Sequence, residues 1–314
     1  MPATHVPPVM VTLESQFLID DLPVIPKGVN VQDYTALVSK IGAKYVRLRF
    51  KWSDVERVQG TFDWSSLDKV VAAYSADHVN MLLDNHPIGV QNIPAWAFPN
   101  PQENAFGLLA ALADHYCSEP YVWGYEVWNE PHWGTADAAG TISVLKWMAK
   151  AHAIIRAHDP ARATVMMIRD SWDLGLQNAD LRRWLPDLHR LVLDVHASYA
   201  TGSNAGYSPD GEGHAADLCK TTWPCAVPYS GIYQHQLDHL KWVLRWKSEL
   251  DRPIIVGEWD WMTMQPGWDK YQRQMLSIFD ELSLPWFRWQ GGTQSLMDKG
   301  ELNPMGQQIA DALN

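Results

Sequence analysis

The stretch from 121 to 133, Tyr121-Val122-Trp123-Gly124-Tyr125-Glu126-Val127-Trp128-Asn129-Glu130-Pro131-His132-Trp133 (YVWGYEVWNEPHW), decides how the rest of the chain is read. An apolar and aromatic run climbs through Val127 and Trp128, then meets an amide, a carboxyl and a proline in succession. This is the pattern of a buried strand with a polar tip. Proline has no N–H to give to a sheet ladder, so Pro131 is expected to end the strand and leave Asn129 and Glu130 at its carboxyl edge. Parallel α/β folds bind their ligands at that edge. A single glutamate there could equally be a solvated strand-end charge. A second stretch, Pro253-Ile254-Ile255-Val256-Gly257-Glu258-Trp259, weakens that bland reading because it repeats the design, a short apolar strand delivering one glutamate among tryptophans. Two such carboxylates suggest an acid and a nucleophile.

Working outward, apolar strands alternate with amphipathic helices along the whole chain. The expected strands are 22–30, 44–50, 79–84, 121–128, 163–170, 191–199, 253–261 and 285–292. Between and after them fall helices at 32–41, from a cap at Ser65 or Ser66 to 77, 103–117, 141–158, 178–188, 232–250, 269–281 and 304–313. The segments 52–64 and 87–101 read as loops. Eight strands with about eight helices, and no linker or low-complexity run, predict one α/β domain over 1–314, a closed parallel (β/α)8 barrel of the TIM type. A Gly-, Ser-, Pro- and Asp-rich loop at 200–229 after the sixth strand is long enough to be expected as a wall of the site.

Composition narrows the class. Apolar residues make up 46% of the chain, enough for one large core. The formal net charge of −11 repels nucleic-acid phosphates and anionic lipid surfaces, so neither is an expected partner. The 17 Trp against 7 Phe is the informative imbalance, since core filling alone has no reason to prefer indole over phenyl. Indole offers a flat apolar face and a polar edge, which suit a sugar ring, although many of these residues will still serve the core. Cys117, Cys219 and Cys225 form no metal pattern with histidine, and their odd number argues against a disulfide framework; Cys219 and Cys225 stand close enough to be either bridged or free. The amino terminus has no basic n-region or long apolar h-region, and no run reaches the ~18 apolar residues of a spanning helix. A cytoplasmic protein is expected, or a secreted one if a signal peptide has been trimmed, monomeric and without metal or cofactor.

Retaining hydrolysis of a glycosidic bond needs two carboxyls about 5 to 5.5 Å apart, one protonated to serve the leaving oxygen and one ionised to attack the anomeric carbon. Strands four and seven lie across a barrel from each other, so Glu130 and Glu258 can face one another over its mouth. Periodicity does not say which is which. The residues resemble the clan A glycoside hydrolases, most closely family 5, with some resemblance to family 39, over nearly the whole chain. The resemblance rests on Arg47 ahead of Trp52, Leu83-Asp84-Asn85-His86, WGYEVWNEP at 123–131, His196 and Tyr199, IVGEW at 255–259, and Trp289. Asn-Glu-Pro followed much later by Gly-Glu is specific as a combination; either alone is weak.

The resemblance implies that Glu130 is the general acid/base and Glu258 the nucleophile. Asn129 would bond the 2-hydroxyl of the reacting sugar, and Arg47 would lie near Glu258 and keep it ionised. Apolar neighbours such as Trp128, with a negative Glu258 opposite, would raise the pKa of Glu130 so that it holds a proton. His86 and His196 are similar to the family's sugar and carboxylate contacts, and Trp289 to the floor under the reacting sugar. The family usually shows His, one residue, then Tyr, whereas Ala197 and Ser198 both intervene before Tyr199. A separation of three puts two side chains on opposite faces of a regular strand, so Tyr199 reaches Glu258 only if the strand has ended or bulged; Tyr207 and Tyr233 are the alternatives.

Glu126 is read as a deeper barrel residue with a polar partner, and Asp260 likewise, though nearer substrate. Glu56, Asp54 and Asp63 are read as solvated loop charges. Trp96 and Trp133, with His132, Trp172, Trp259, Trp261 and Trp268, fall after strands, where aromatic sugar platforms would lie. The expected function is a retaining, endo-acting β-glycoside hydrolase of a β-linked poly- or oligosaccharide, similar to a β-glucanase or mannanase. An exo-acting β-glycosidase of the same clan and a sugar-binding barrel without hydrolysis are the alternatives, the latter with no need of both glutamates. No HxH, ExxH or Cys cluster supplies strand-end ligands for a metal-dependent hydrolase. The identity of the sugar is not legible.

Overall fold

The structure, a computed structural model, describes residues 11–13, 31–87, 92–131, 133, 138–167, 189–196, 252–259, 268–288, 296–298 and 301–313. Eight strands follow one another in chain order: β1 (Val11–Leu13), β2 (Tyr45–Phe50), β3 (Asn80–Asn85), β4 (Val122–Glu126), β5 (Ala163–Met167), β6 (Leu191–His196), β7 (Ile254–Trp259) and β8 (Trp286–Arg288). Each pairs in parallel with the next. β8 returns beside β1, so the sheet curls into the expected barrel. The described helices are α1 (Val31–Ile41), α2 (Trp52–Val55), α3 (Ser65–Ala76), α4 (Pro101–Tyr116), α5 (Ala138–His158), α6 (Trp268–Glu281) and α7 (Pro304–Leu313). None of them is long and apolar enough to cross a membrane.

Several boundaries differ from the sequence expectation. The place beside β2 is held by Val11–Leu13, a short β-branched and apolar run aligned with Val46 to Leu48. The strand expected at 22–30 lies outside the described residues, as do the helices at 178–188 and 232–250 and the loop at 200–229. The segment after β2 opens with α2 rather than running entirely as loop. Neither serine caps α3: Ser65 is its first residue, Trp64 holds the cap position, and the Ser65 amide donates to Asp63 Oδ1 at 3.0 Å. An acid at a helix start satisfies an orphan donor and the dipole together, which is why Asp63 displaces the serines. Pro131 does not end β4, which stops at Glu126. Beyond it the backbone still bonds both neighbours, Val127 N to Val165 O at 3.2 Å and Asn129 N to Asn85 O at 3.0 Å. A small antiparallel ribbon, β9 (Met297–Asp298) with β10 (Glu301–Leu302), was not expected.

The strands divide two cores. Leu82, Ala163, Val165, Val192, Ile255 and Phe287 form a cluster drawn from strands alone, which is the apolar plug inside the barrel. Residues of alternate parity, such as Val46, Leu48, Met81, Leu83, Leu193 and Val256, join the helices in the outer core. Above the plug, toward the carboxyl ends, the inward positions turn polar: Leu82 is followed by Asp84 and His86, and Val192 by Asp194 and His196, all buried. The alternation of a strand thus delivers charge to one end of an otherwise apolar barrel.

Candidate active site

Arg47, fully buried on β2, is the hub of the polar layer. Its guanidinium grips Glu126 with two bonds, Nε to Oε2 at 2.6 Å and Nη2 to Oε1 at 2.8 Å. It also donates from Nη1 to Glu258 Oε1 at 2.5 Å and from Nη2 to Asn129 Oδ1 at 2.5 Å, and Nη2 lies 3.0 Å from Asp84 Oδ2. A planar fork with five donors can serve this many acceptors at once, which an ammonium could not. The expected neighbourhood of Arg47 and Glu258 is therefore met, and Glu126 is the barrel-interior residue with a polar partner that the sequence suggested.

Three carboxyls share this one guanidinium, and burial decides how their protons distribute. Burial opposes ionisation of Asp84, but Arg47, His86 and Arg49 outweigh it and hold its carboxyl below the usual range. Glu126 is pushed well above that range by burial, with Asp84 and Asp194 adding repulsion that Arg47 only partly offsets. The ionised Asp84 accepts the His86 Nδ1 proton at 2.9 Å, so Nε2 is the acceptor toward Asn129 Nδ2 at 3.4 Å. Arg47, Asn129, His86 and Asp84 close a ring of contacts that fixes which way the Asn129 amide points.

On the opposite side, Glu130 leaves β4 with a left-handed backbone, φ 45°, a conformation that a non-glycine residue adopts rarely and at a cost. The turn brings its Oε1 to 3.0 Å from His196 Nδ1, and the same nitrogen lies 3.7 Å from Glu258 Oε2. Carboxyl oxygens of Glu130 and Glu258 lie within 4.8 Å of each other and of the ring. Two residues far apart in sequence thus converge on one point at the mouth. Burial disfavours a charged His196, but Glu258, Asp194 and Glu130 outweigh it and hold the ring well above the ordinary histidine value.

Among the described residues, two sets of donors are close enough to hold a cation, Glu126 with Asp194 and His196, and Glu130 with His196 and Glu258. Both include His196, whose proton affinity its carboxyl neighbours raise, and Glu126 of the first set is gripped by Arg47, so side chains already bring positive charge to these carboxyls.

The sequence model of Cellulase (glycosyl hydrolase family 5) matches residues 17–295. The chain belongs to glycosyl hydrolase family 5. The family and enzyme class expected from the sequence are met at that level. The major extracellular endoglucanase of Xanthomonas campestris pv. campestris is 35% identical over 88 residues, 26% of this family 5 chain and 18% of that relative's length. The clostridial cellulose synthase subunit Z of Clostridioides difficile shares the fold at a TM-score of 0.71 and 17% identity, over 97% of this chain and 98% of that one. The endo-glycoceramidase II of a Rhodococcus species does so at 0.70 and 18%, over 98% and 79%. An endocellulase of the archaeon Pyrococcus horikoshii follows at 0.66 and 16%, over 97% and 92%.

The remaining candidates of this family 5 chain divide clearly. Tyr199, Trp289, Tyr207, Tyr233, Asp260, His132, Trp172 and Trp261 lie outside the described residues, as do the bridging of Cys219 and Cys225. Glu56 is not a solvated charge but buried, accepting Trp52 Nε1 at 2.6 Å and the Gly60 amide at 2.8 Å. Burial raises its pKa against those two bonds. Trp96 packs edge-on to Trp52 and donates Nε1 to Glu56 O at 3.0 Å, so its indole props the loop after β2. Trp259 is fully buried against Phe279 and Trp286 and is no sugar platform. Trp133 remains part-exposed and meets Trp128 and Trp147 at near right angles, with centroids 5.0 and 5.2 Å away. Asp84 and Asp194 were given no role in the sequence reading. Each stands two before a histidine on the same strand face, and that spacing was the available signal.

Proposed function

We propose that this chain hydrolyses internal β-linkages of a β-glucan with retention, Glu130 serving as acid/base and Glu258 as nucleophile. The observation that carries this reading is the convergence of the two carboxyls within 4.8 Å around His196, the order of separation that double displacement requires. Glu258, gripped through Oε1 by Arg47, attacks the anomeric carbon with Oε2 while the glycosidic C–O bond breaks toward the leaving oxygen. Glu130 protonates that oxygen as it departs. In the second step Glu130 takes a proton from water, the water oxygen bonds the anomeric carbon, and Glu258 is released as carboxylate. Asn129, fixed by Arg47 and His86, has a second Nδ2 proton for the 2-hydroxyl of the reacting sugar. The family description, Cellulase, supports a β-glucan, and the relative named endoglucanase supports internal cleavage.

The test is release of reducing sugar from a panel of β-1,4-glucan, mixed-linkage glucan, mannan, xylan and a β-linked glycolipid, with product lengths recorded. Internal cleavage of a β-glucan is expected. Glu258→Ala should lower kcat on the order of 10⁴-fold or more, the scale of losing a covalent nucleophile. Glu130→Ala should cost about 10²- to 10⁴-fold on glucan but much less on an aryl glycoside whose leaving group needs no proton. Equal damage on both substrates would remove Glu130 from the acid role, and products one sugar long would move the enzyme to the exo class.

A further inference from the structure

We infer that Asp194 is a positioning residue for the attack on the anomeric carbon, because it pins the β7 irregularity that turns Glu258 into the barrel. This rests on Glu258 being the nucleophile. Ile255 belongs to the apolar plug, so strict alternation would send Gly257 and Trp259 inward and Glu258 out toward the helices. The opposite is found: Trp259 packs in the outer core against Phe279, and Glu258 reaches Arg47 and His196. The register shows why. Val195 pairs with Val256 but His196 with Glu258, and Val256 pairs with Trp286 but Trp259 with Arg288, so Gly257 is one residue too many on β7. This is a β-bulge, and it flips the side of every residue after it.

A bulge leaves an amide out of the ladder, and here Asp194 takes it: Gly257 N–H donates to Asp194 Oδ1 at 2.6 Å. The approach is so close that a Cβ on residue 257 would sit 2.1 Å from Asp194 Oδ2, which only glycine avoids. Asp194 is itself buried, and its Oδ2 faces His196 Nε2 at 3.5 Å. The carboxyl therefore holds the backbone that aims Glu258 by a hydrogen bond, and by charge alone it faces the ring whose other nitrogen lies between Glu258 and Glu130. Neither the backbone nor the ring is aimed by anything the substrate must supply.

The experiment is single-turnover kinetics of the full chain in excess over dinitrophenyl β-cellobioside, whose leaving group needs no proton, so that the maximal rate of dinitrophenolate release (kcat below) and its half-saturating enzyme concentration (KM below) read attack by Glu258 alone. Asp194→Ala should lower kcat by about 100-fold, the scale of a small misplacement of a reacting group, with KM within about threefold. Asp194→Asn keeps an acceptor for the Gly257 amide and should recover at least about tenfold of that loss. Gly257→Ala breaks the same contact from the other side and should lower kcat similarly, and the double variant should be no worse than the poorer single one. Wild-type kcat in Gly257→Ala, a loss lying wholly in KM, or an Asp194→Asn variant as inert as Glu258→Ala would each overturn the inference. These readings stand even where Asp194→Ala fails to fold. An active Glu258→Ala would instead overturn the nucleophile assignment, which separates the two failures.

Discussion

Strands β3 and β6 carry the same pattern, Asp84-Asn85-His86 and Asp194-Val195-His196, on different sides of the ring, yet their histidines are driven in opposite directions. His86 is lowered by burial and by Arg49 on the adjacent β2, against the pull of Asp84 and Glu258. His196 is raised despite burial, because β7 places Glu258 beside it and the turn after β4 adds Glu130. The strand itself therefore does not fix the charge of its histidine. The neighbouring strand does, by presenting an arginine in one case and a glutamate in the other. The result is a ring with lowered proton affinity beside Asn129 and a ring with raised proton affinity between two carboxyls.

The sharpest way to break this contrast is to remove the residue both sides share. Arg47→Ala leaves Asp84, Glu126 and Glu258 buried without their cation, and should cost about 3–5 kcal/mol of stability together with all activity, read by denaturant unfolding and reducing-sugar release. Next is His196→Gln, expected to lower kcat roughly 100-fold, the scale of removing one preorganised electrostatic contact. Its pH signature follows from the sign of the shift. A raised folded pKa gives stability that is complete below the unfolded value of about 6.5 and lost as pH rises through the folded value, so wild type should weaken on the alkaline side and His196→Gln should not. His86→Gln should do the reverse. The lowered folded pKa of His86 gives stability present above about 6.5 and lost as pH falls, so this variant should lack an acid-side loss that wild type shows. Melting temperatures across a pH series separate the two. Smallest is Ile255→Val in the apolar plug, where about 0.5–1.5 kcal/mol of stability should go while kcat per folded molecule stays the same.

The barrel was legible because its signal is redundant: every apolar run was followed by an amphipathic one, and an error in one boundary leaves the alternation intact. The convergence of Glu130 and Glu258, the pair proposed for catalysis, was legible because each glutamate stands in an aromatic strand-end context. What the sequence hid was set by contacts across the ring. Glu56 is the local exception: its partners Trp52 and Gly60 stand only four residues away on either side, but the pattern of a charged loop does not show that they fold over it. Val11–Leu13 is three residues long, and only its pairing with β2 makes it a strand. The inward turn of Glu258 contradicts the two-residue period of its own strand and needs Asp194, distant in sequence, to be understood.

Trp128, Trp133 and Trp147 stand mutually perpendicular, with centroids 5.0 to 5.5 Å apart and interplanar angles of 77° to 82°. Chromophores so near and so crossed share their excited states. Trp147 lies on α5 and Trp128 and Trp133 in the segment after β4, so the near-ultraviolet circular dichroism of this triad reports, without dye or label, how firmly that segment is packed on its helix.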